Sequence, residues 1–209
     1  MRDLILAGAL LTLAACNVAE AQTGPDQSKP VEAPSGAYAN DPAHTSLTWK
    51  IGHMGLSNYT ARMSDVAIAL QFDKDNVEKS SVSATIGATS FDTGYPGKDK
   101  DFDAEIASDL IMKAAQFPTI TFRSTAVRRT SPTTADITGN LTMMGVTRPV
   151  TLSATYNGSM ASHPFVKVPA IGFSARGVID RTAFGNTFLS GSALGDKVEI
   201  AIEAELLKK

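Results

Sequence analysis

A pair of alternating segments around a glycine constrains the fold of this 209-residue chain more than any other feature. Residues 135–156 read ADITGNLTMMGVTRPVTLSATY, and apolar or small residues alternate with polar ones on both sides of residues 144–146. Such alternation predicts half-buried strands, and Gly145 can take the positive φ that a tight antiparallel turn needs. The segment therefore predicts a β-hairpin whose inner face carries Leu141 and Leu152.

The same alternation recurs on both sides of the hairpin. The other predicted strands are 45–53, 58–72, 82–88, 119–124, 171–181 and 198–206. The apolar parity slips between Met63 and Val66, which predicts a bulge at residues 64–65, where a barrel strand would bend. The count of about eight strands predicts an all-β domain, an antiparallel eight-stranded barrel over residues 38–209.

One segment departs from the strand pattern. Phe102, Ile106 and Leu110 recur at a spacing of four residues, from Asp99 onward. This spacing predicts one short amphipathic helix, which would cover an end or an edge of the barrel.

The N-terminus is predicted to be a targeting segment outside the fold. Residues 4–15 form an apolar run of signal-peptide length, so residues 1–15 are predicted to be a signal peptide. Residues 13–16 (LAAC) look like a bacterial lipobox, which makes Cys16 a lipidation site; cleavage after Ala21 is the alternative. Both alternatives predict a periplasmic or cell-envelope location, and lipidation predicts an outer-membrane-anchored lipoprotein.

Residues 16–37 are predicted to be a disordered tether between this targeting segment and the domain. The segment is rich in proline, glycine and serine, and only Val18 and Val31 are large and apolar. A chain of this composition buries too little apolar surface to offset the entropy lost on ordering.

Composition narrows the function classes. The net charge is −2 and no basic block is present, so a nucleic acid is not expected as a partner. His44, His53 and His163 show no metal-ligand spacing, and no Gly-x-Ser-x-Gly turn is present. We therefore expect no metal, no cofactor and no catalysis. The enzyme alternative is a hydrolase using His53 with Ser57 and with Asp65 or Asp99.

Small residues are frequent on the predicted inner faces. They are Ala61, Ala84, Ala88, Gly139, Ala154, Ala175, Gly177 and Ala204. Small inner residues leave room for a ligand inside a barrel. The alternative is that large side chains across the core fill the space.

Several stretches of the chain resemble the YceI family. They are residues 44–53 (HTSLTWKIGH), 117–124 (FPTITFRS), 137–142 (ITGNLT), 145–150 (GVTRPV), 172–175 (GFSA), 179–181 (IDR) and 184–185 (FG), together with the glutamate-rich last strand. The resemblance implies a lipocalin-like barrel that binds polyisoprenoid or other long-chain lipids in a hydrophobic channel. Two features depart from the family's pattern: residues 98–102 (KDKDF) contain no histidine, and Met143-Met144 stands where a basic residue or histidine often precedes the hairpin glycine. Because of these two departures, the resemblance does not identify the head group of the lipid.

The sequence thus predicts a non-catalytic lipid carrier or scavenger of the cell envelope; a ligand-free structural or stress-response protein is the alternative. A bound isoprenoid or fatty lipid is the expected partner. The protein would contact the membrane through lipidated Cys16, and a homodimer is the assembly considered. The residues predicted to line the channel are Trp49, Ile51, His53, Met63, Ile68, Phe102, Leu110, Phe122, Leu141, Met143, Leu152, Phe173 and Arg181. Of these, His53 and Arg181 would reach a polar head, and an ion pair of Arg181 with Asp180 or Asp196 is the alternative.

Overall fold

The structure, a computed structural model, describes residues 31–209. The strands are β1 (Gly36–His53), β2 (Ser57–Met63), β3 (Val66–Phe72), β4 (Ser81–Gly87), β5 (Phe91–Asp92), β6 (Thr119–Arg129), β7 (Thr134–Met143), β8 (Val146–Met160), β9 (Ala170–Asp180) and β10 (Leu194–Lys208). The helix α1 is Phe102–Ala107. The predicted signal peptide, Cys16, the alternative cleavage after Ala21 and residues 16–30 of the predicted tether lie outside the described residues.

The sheet closes on itself as an antiparallel barrel. β10, β9, β8, β7, β6, β4 and β3 lie side by side in that order, and β1 pairs with both β3 and β10. β2 and β3 pair with successive parts of β1, so they act as one strand interrupted at residues 64–65. The ring therefore has eight strand positions, as predicted, and the interruption falls where the parity slip predicted a bulge.

Asn40 bridges the backbone at this interruption. Opposite it, β1 also bulges, because residues 41–44 face only Glu205 of β10. The Asn40 amide donates to the carbonyl of Val66 (3.0 Å) and its oxygen accepts from the amide of Ile68 (2.7 Å). The side chain thus supplies hydrogen bonds that a regular strand pair would make through its backbone.

The hairpin of β7 and β8 forms in the predicted register. Met143 pairs with Val146, so Met144 and Gly145 alone make the turn, with φ of 52° and 75°. Two successive positive φ angles define a type I′ turn, whose twist matches that of the flanking strands. Met144 is buried beneath the turn, which explains why an apolar residue stands at this position.

We expect Gly145→Ala to lower the free energy of unfolding by about 2 kcal/mol or more. The alanine would have to keep a positive φ, and its Cβ would also clash with the ring of Phe117. A Cβ at Gly145 would lie 2.6 Å from Cε1 of Phe117. Gly55→Ala is the matched control, since Gly55 has φ of 67° and open space around it. Urea unfolding should show a loss of only about 1 kcal/mol for the control. Equal losses would contradict a role for Phe117.

The barrel has two different ends. The α1 end carries α1, the turn at residues 144–145 and the hairpin connection at residues 54–56. The opposite end, which we call the termini end, holds residues 31–36 and the C-terminus. There the amide of Lys209 donates to the carbonyl of Ala37 (3.0 Å).

The folded chain begins earlier than predicted. Ala33 is completely buried, and the amides of Glu32 and Ala33 donate to Oγ of Ser159 (2.8 and 3.2 Å). Gly36 and Ala37 already belong to β1. The prediction of a disordered tether is therefore wrong for residues 31–37, because Val31 and Ala33 pack on the core that closes the termini end.

The helix is shorter than predicted. α1 ends at Ala107, and Leu110 lies in the turns that follow it. The carboxylate of Asp101 caps the helix by accepting from the amide of Ala104 (3.0 Å). Within residues 31–209, no helix has the length and apolar character needed to cross a bilayer.

Candidate functional site

The inner face of β10 is buried at both ends and partly exposed in the middle. Val198 is buried at the α1 end, and Ala204 and Leu206 are buried toward the termini end. Ile200 and Ile202, which lie between them on the same face, are partly exposed. Because this face points into the barrel, the exposure of the two isoleucines is to space inside the ring.

The neighbouring strand β9 repeats this pattern. Ile171 and Ile179 are buried at its two ends, whereas Phe173, Ala175 and Gly177 between them are partly exposed. In the register of the sheet, Gly177 lies opposite Ile200 and Ala175 opposite Ile202. The accessible positions of the two strands therefore form one continuous apolar patch on the inner wall.

Two apolar clusters close the ends of this space. The cluster at the α1 end consists of Ile51, Ile106, Met112, Met143, Met144, Ile179, Phe184 and Val198. The cluster at the termini end consists of Ala33, Tyr38, Ile68, Phe72, Ile171, Ala204 and Leu206. A third cluster, of Leu47, Met63 and Ile86, lies between the two ends, and Trp49 and Ile202 pack against it. The interior is thus a hydrophobic chamber that is packed at both ends and on the side of β1, β2 and β4, and is accessible along the middle of β9 and β10.

The predicted lining residues divide into buried and partly exposed side chains. Those that are buried are Ile51, Met63, Ile68, Phe122 and Met143. Those that are partly exposed are Trp49, Phe102, Leu141, Leu152 and Phe173. Phe102 packs against the cluster at the α1 end from the helix, so it helps to close the chamber.

Two of the small inner residues do not leave space for a ligand. A Cβ at Gly139 would lie 2.4 Å from Cζ of Phe122, and a Cβ at Gly177 would lie 2.5 Å from Cδ2 of Leu152. At these two positions a large side chain from the neighbouring strand fills the space beside the glycine. This is the alternative given above, in which large side chains fill the core.

His53 and Leu110 lie outside the chamber, contrary to their predicted positions. His53 is exposed at the end of β1, where the strand turns into the hairpin connection. Leu110 is 65% exposed because the chain leaves the helix before reaching it. Neither side chain lines the interior of the barrel.

Arg181 is buried, but its guanidinium is bound by the protein. Nε donates to the carbonyl of Gly195 (2.8 Å), one terminal nitrogen donates to the carbonyl and Oδ1 of Asn186 (3.0 and 2.9 Å), and the other donates to the carbonyl of Leu194 (3.3 Å). Asp196 lies 3.7 Å away. The predicted contact of Arg181 with a lipid head is therefore replaced by a structural role, in which one cation holds the loop between β9 and β10.

Electrostatics around Arg181 follow from this burial. Burial lowers the pKa of the Arg181 guanidinium, and the carboxylates of Asp196 and Asp180 oppose the shift. The hydroxyl of Thr182 and the ammonium of Lys197 hold the pKa of Asp180 well below its usual range. Within residues 31–209, no group of three or more His, Cys, Asp or Glu side chains could hold a metal ion.

Part of the chamber wall is formed by residues that were not predicted to line the channel. Ile200 and Ile202 share the parity of Val198 and Ala204 in the predicted last strand, and this alternation is the signal that could have added them to the lining. Tyr59 and Phe91 surround Trp49, with ring centroids 6.1 Å from the indole. Phe91 belongs to a two-residue strand, which is too short for alternation to reveal.

The chain matches known proteins over most of its described length. The model of the YceI-like domain family matches residues 38–206. A protein named YceI from Salmonella arizonae is 35% identical over 162 residues, which cover 78% of this chain and 81% of that protein. A UPF0312 protein of Ectopseudomonas mendocina is 38% identical over 115 residues, and that match spans only 58% of the relative.

Solved structures show the same fold. BcnA of Burkholderia cenocepacia superposes with a TM-score of 0.69 at 23% identity, covering 79% of this chain and 98% of BcnA. A polyisoprenoid-binding domain from Saccharophagus degradans, implicated in plant cell wall breakdown, superposes with a TM-score of 0.59 at 10% identity, covering 84% and 99%.

Proposed function

Because this chain belongs to the YceI-like domain family, we propose that it binds a long-chain isoprenoid or another amphiphilic lipid inside its barrel and catalyses no reaction. The observation that carries the proposal is the inner wall of β9 and β10, which is accessible in the middle and buried at both ends. A barrel with a solid core would bury the middle of its inner wall most completely.

The driving force would be the removal of the lipid tail from water. Each buried methylene contributes about 0.8 kcal/mol, so ten carbon groups would contribute roughly 8 kcal/mol before ordering costs are subtracted. Because this attraction is spread over the whole chamber wall, affinity would depend on its shape and length. The name of the Saccharophagus degradans domain supports an isoprenoid as the tail.

The wider role that we propose is that of a carrier or scavenger in the cell envelope. An amphiphile enclosed in this way could cross an aqueous compartment without exposing its tail. A periplasmic location, with anchoring through Cys16, is part of this proposal and rests on residues 1–30 of the sequence. The competing functions are a ligand-free structural protein and a hydrolase.

Extraction of the purified full-length protein with organic solvent, followed by mass spectrometry, tests the proposal. We expect about one long-chain lipid per protein, absent from a control extract of protein that was unfolded, washed and refolded without lipid. The refolded protein should regain a lipid from vesicles. Protein that is empty as purified and takes up no lipid would contradict the proposal, and ester turnover lost in His53→Ala would favour the hydrolase.

A further inference from the structure

Trp49 lies on the inner wall of β1. It shares a face with Leu47 and Ile51, both buried, and its cross-strand neighbours are Ile200 of β10 and Ala61 of β2. Tyr59 and Phe91 flank the indole. The ring therefore stands in apolar surroundings beside the accessible part of β10.

The indole N–H of Trp49 has no hydrogen-bond acceptor within residues 31–209. Its nitrogen is buried, and in this part of the chain it is the one buried side-chain nitrogen or oxygen without a partner. Leaving a buried donor unpaired costs about 1–3 kcal/mol, and the large majority of buried side-chain polar atoms in proteins are paired. The nearby hydroxyl of Tyr59 donates elsewhere, to the carbonyl of Thr93 (3.4 Å).

The surroundings indicate what kind of acceptor would fit. Arg181 is the one buried charged side chain of the described chain, and its donors are taken by carbonyls of the protein. Arg148 shares the inward parity of β8, but its side chain is exposed near the start of that strand. An anionic group beside Trp49 would thus be buried without a counter-charge, which is far more costly than burying a neutral carbonyl.

Building on the proposed function, we propose that the Trp49 indole N–H donates a hydrogen bond to an uncharged acceptor oxygen of the bound lipid, such as a ketone, ester or amide carbonyl. Trp49 lies four residues before His53 at the strand end, which is about 13 Å along the strand and, with the usual tilt of barrel strands, about 10 Å along the barrel. The polar group of the ligand is therefore held within the chamber, and Trp49 sets the specificity for it.

Two probes that differ in one oxygen test this assignment: methyl heptadecyl ketone and nonadecane, each delivered from cyclodextrin. Competition with a fluorescent fatty-chain probe gives their affinities for the wild type, for Trp49→Phe and for Tyr59→Phe. Trp49→Phe keeps an aromatic ring and removes the donor, so we expect roughly tenfold weaker ketone binding. Alkane binding should change less than twofold, and Tyr59→Phe should leave the ketone preference intact.

A second measurement needs no variant. Trp49 is the only tryptophan of the chain, so the ¹⁵N-labelled protein gives one indole N–H signal. The ketone should move its proton downfield as the hydrogen bond forms, whereas nonadecane should not. Equal responses to both probes, or equal losses for both in Trp49→Phe, would overturn the assignment while leaving lipid binding intact. Failure of the wild type to bind either probe would instead contradict the proposed function.

Discussion

Replacing Arg181 with methionine is expected to lower the midpoint of thermal unfolding by about 10 °C. The substitution keeps much of the side-chain volume but removes the donors that serve the carbonyls of Gly195, Leu194 and Asn186. Each buried carbonyl left without a partner costs about 1–3 kcal/mol, and the total should be about 4 kcal/mol. For a domain of this size, each kcal/mol corresponds to about 2–4 °C.

Arg176→Met is the matched control for this prediction. Arg176 lies on β9, is 70% exposed and pairs with Glu203 at 3.3 Å, so its loss should change the midpoint by no more than about 2 °C. At a temperature where Arg181→Met is still folded, it should bind lipid like the wild type. A variant with normal stability but weak lipid binding would restore the head-group role that the sequence suggested for Arg181.

Ala175→Phe is expected to weaken the binding of a long-chain lipid roughly 50-fold. Ala175 faces the chamber from the middle of β9, between Ala154 of β8 and Ile202 of β10. A phenyl ring there would displace about three methylenes of the tail, each of which contributes about 0.8 kcal/mol. Titration of the delipidated variant with the fluorescent fatty-chain probe measures the loss.

Val178→Phe, on the same strand, is the control. Val178 points outward and is 55% exposed, so a phenyl ring at this position should leave lipid affinity within twofold. The thermal midpoint of Ala175→Phe should stay close to that of the wild type, because the added ring enters accessible space. A large drop in that midpoint with unchanged affinity would indicate that the middle of the barrel is packed.

Alternation of side chains was sufficient to predict most of the barrel. The hairpin of β7 and β8 and the last strand have one clearly apolar face each, and a shift by one residue would turn that face outward. The break in the second strand was visible because Met63 and Val66 stand in opposite parity. The resemblance to the YceI family, which implied a lipocalin-like barrel, is confirmed by the family match over residues 38–206.

Side-chain partners distant in sequence could not be predicted in the same way. Gly139 and Gly177 suggested empty space, but whether Phe122 or Leu152 fills it depends on neighbouring strands. The role of Arg181 depends on loop carbonyls that face it only after folding. Alternation also does not show where a strand leaves the barrel interior. His53 has the inward parity of β1 and was therefore predicted to line the channel, but it lies at the exposed end of the strand.

The pairing of β1 with β10 places both ends of the described chain at the same end of the barrel. Residue 31 and residue 209 lie there, and α1 lies at the other. Residue 31, where the described chain begins, therefore lies at the end of the barrel remote from α1. An attachment made through residue 31 would therefore join the termini end, and the helix and the turn at residues 144–145 would stay accessible to a second surface at the other end.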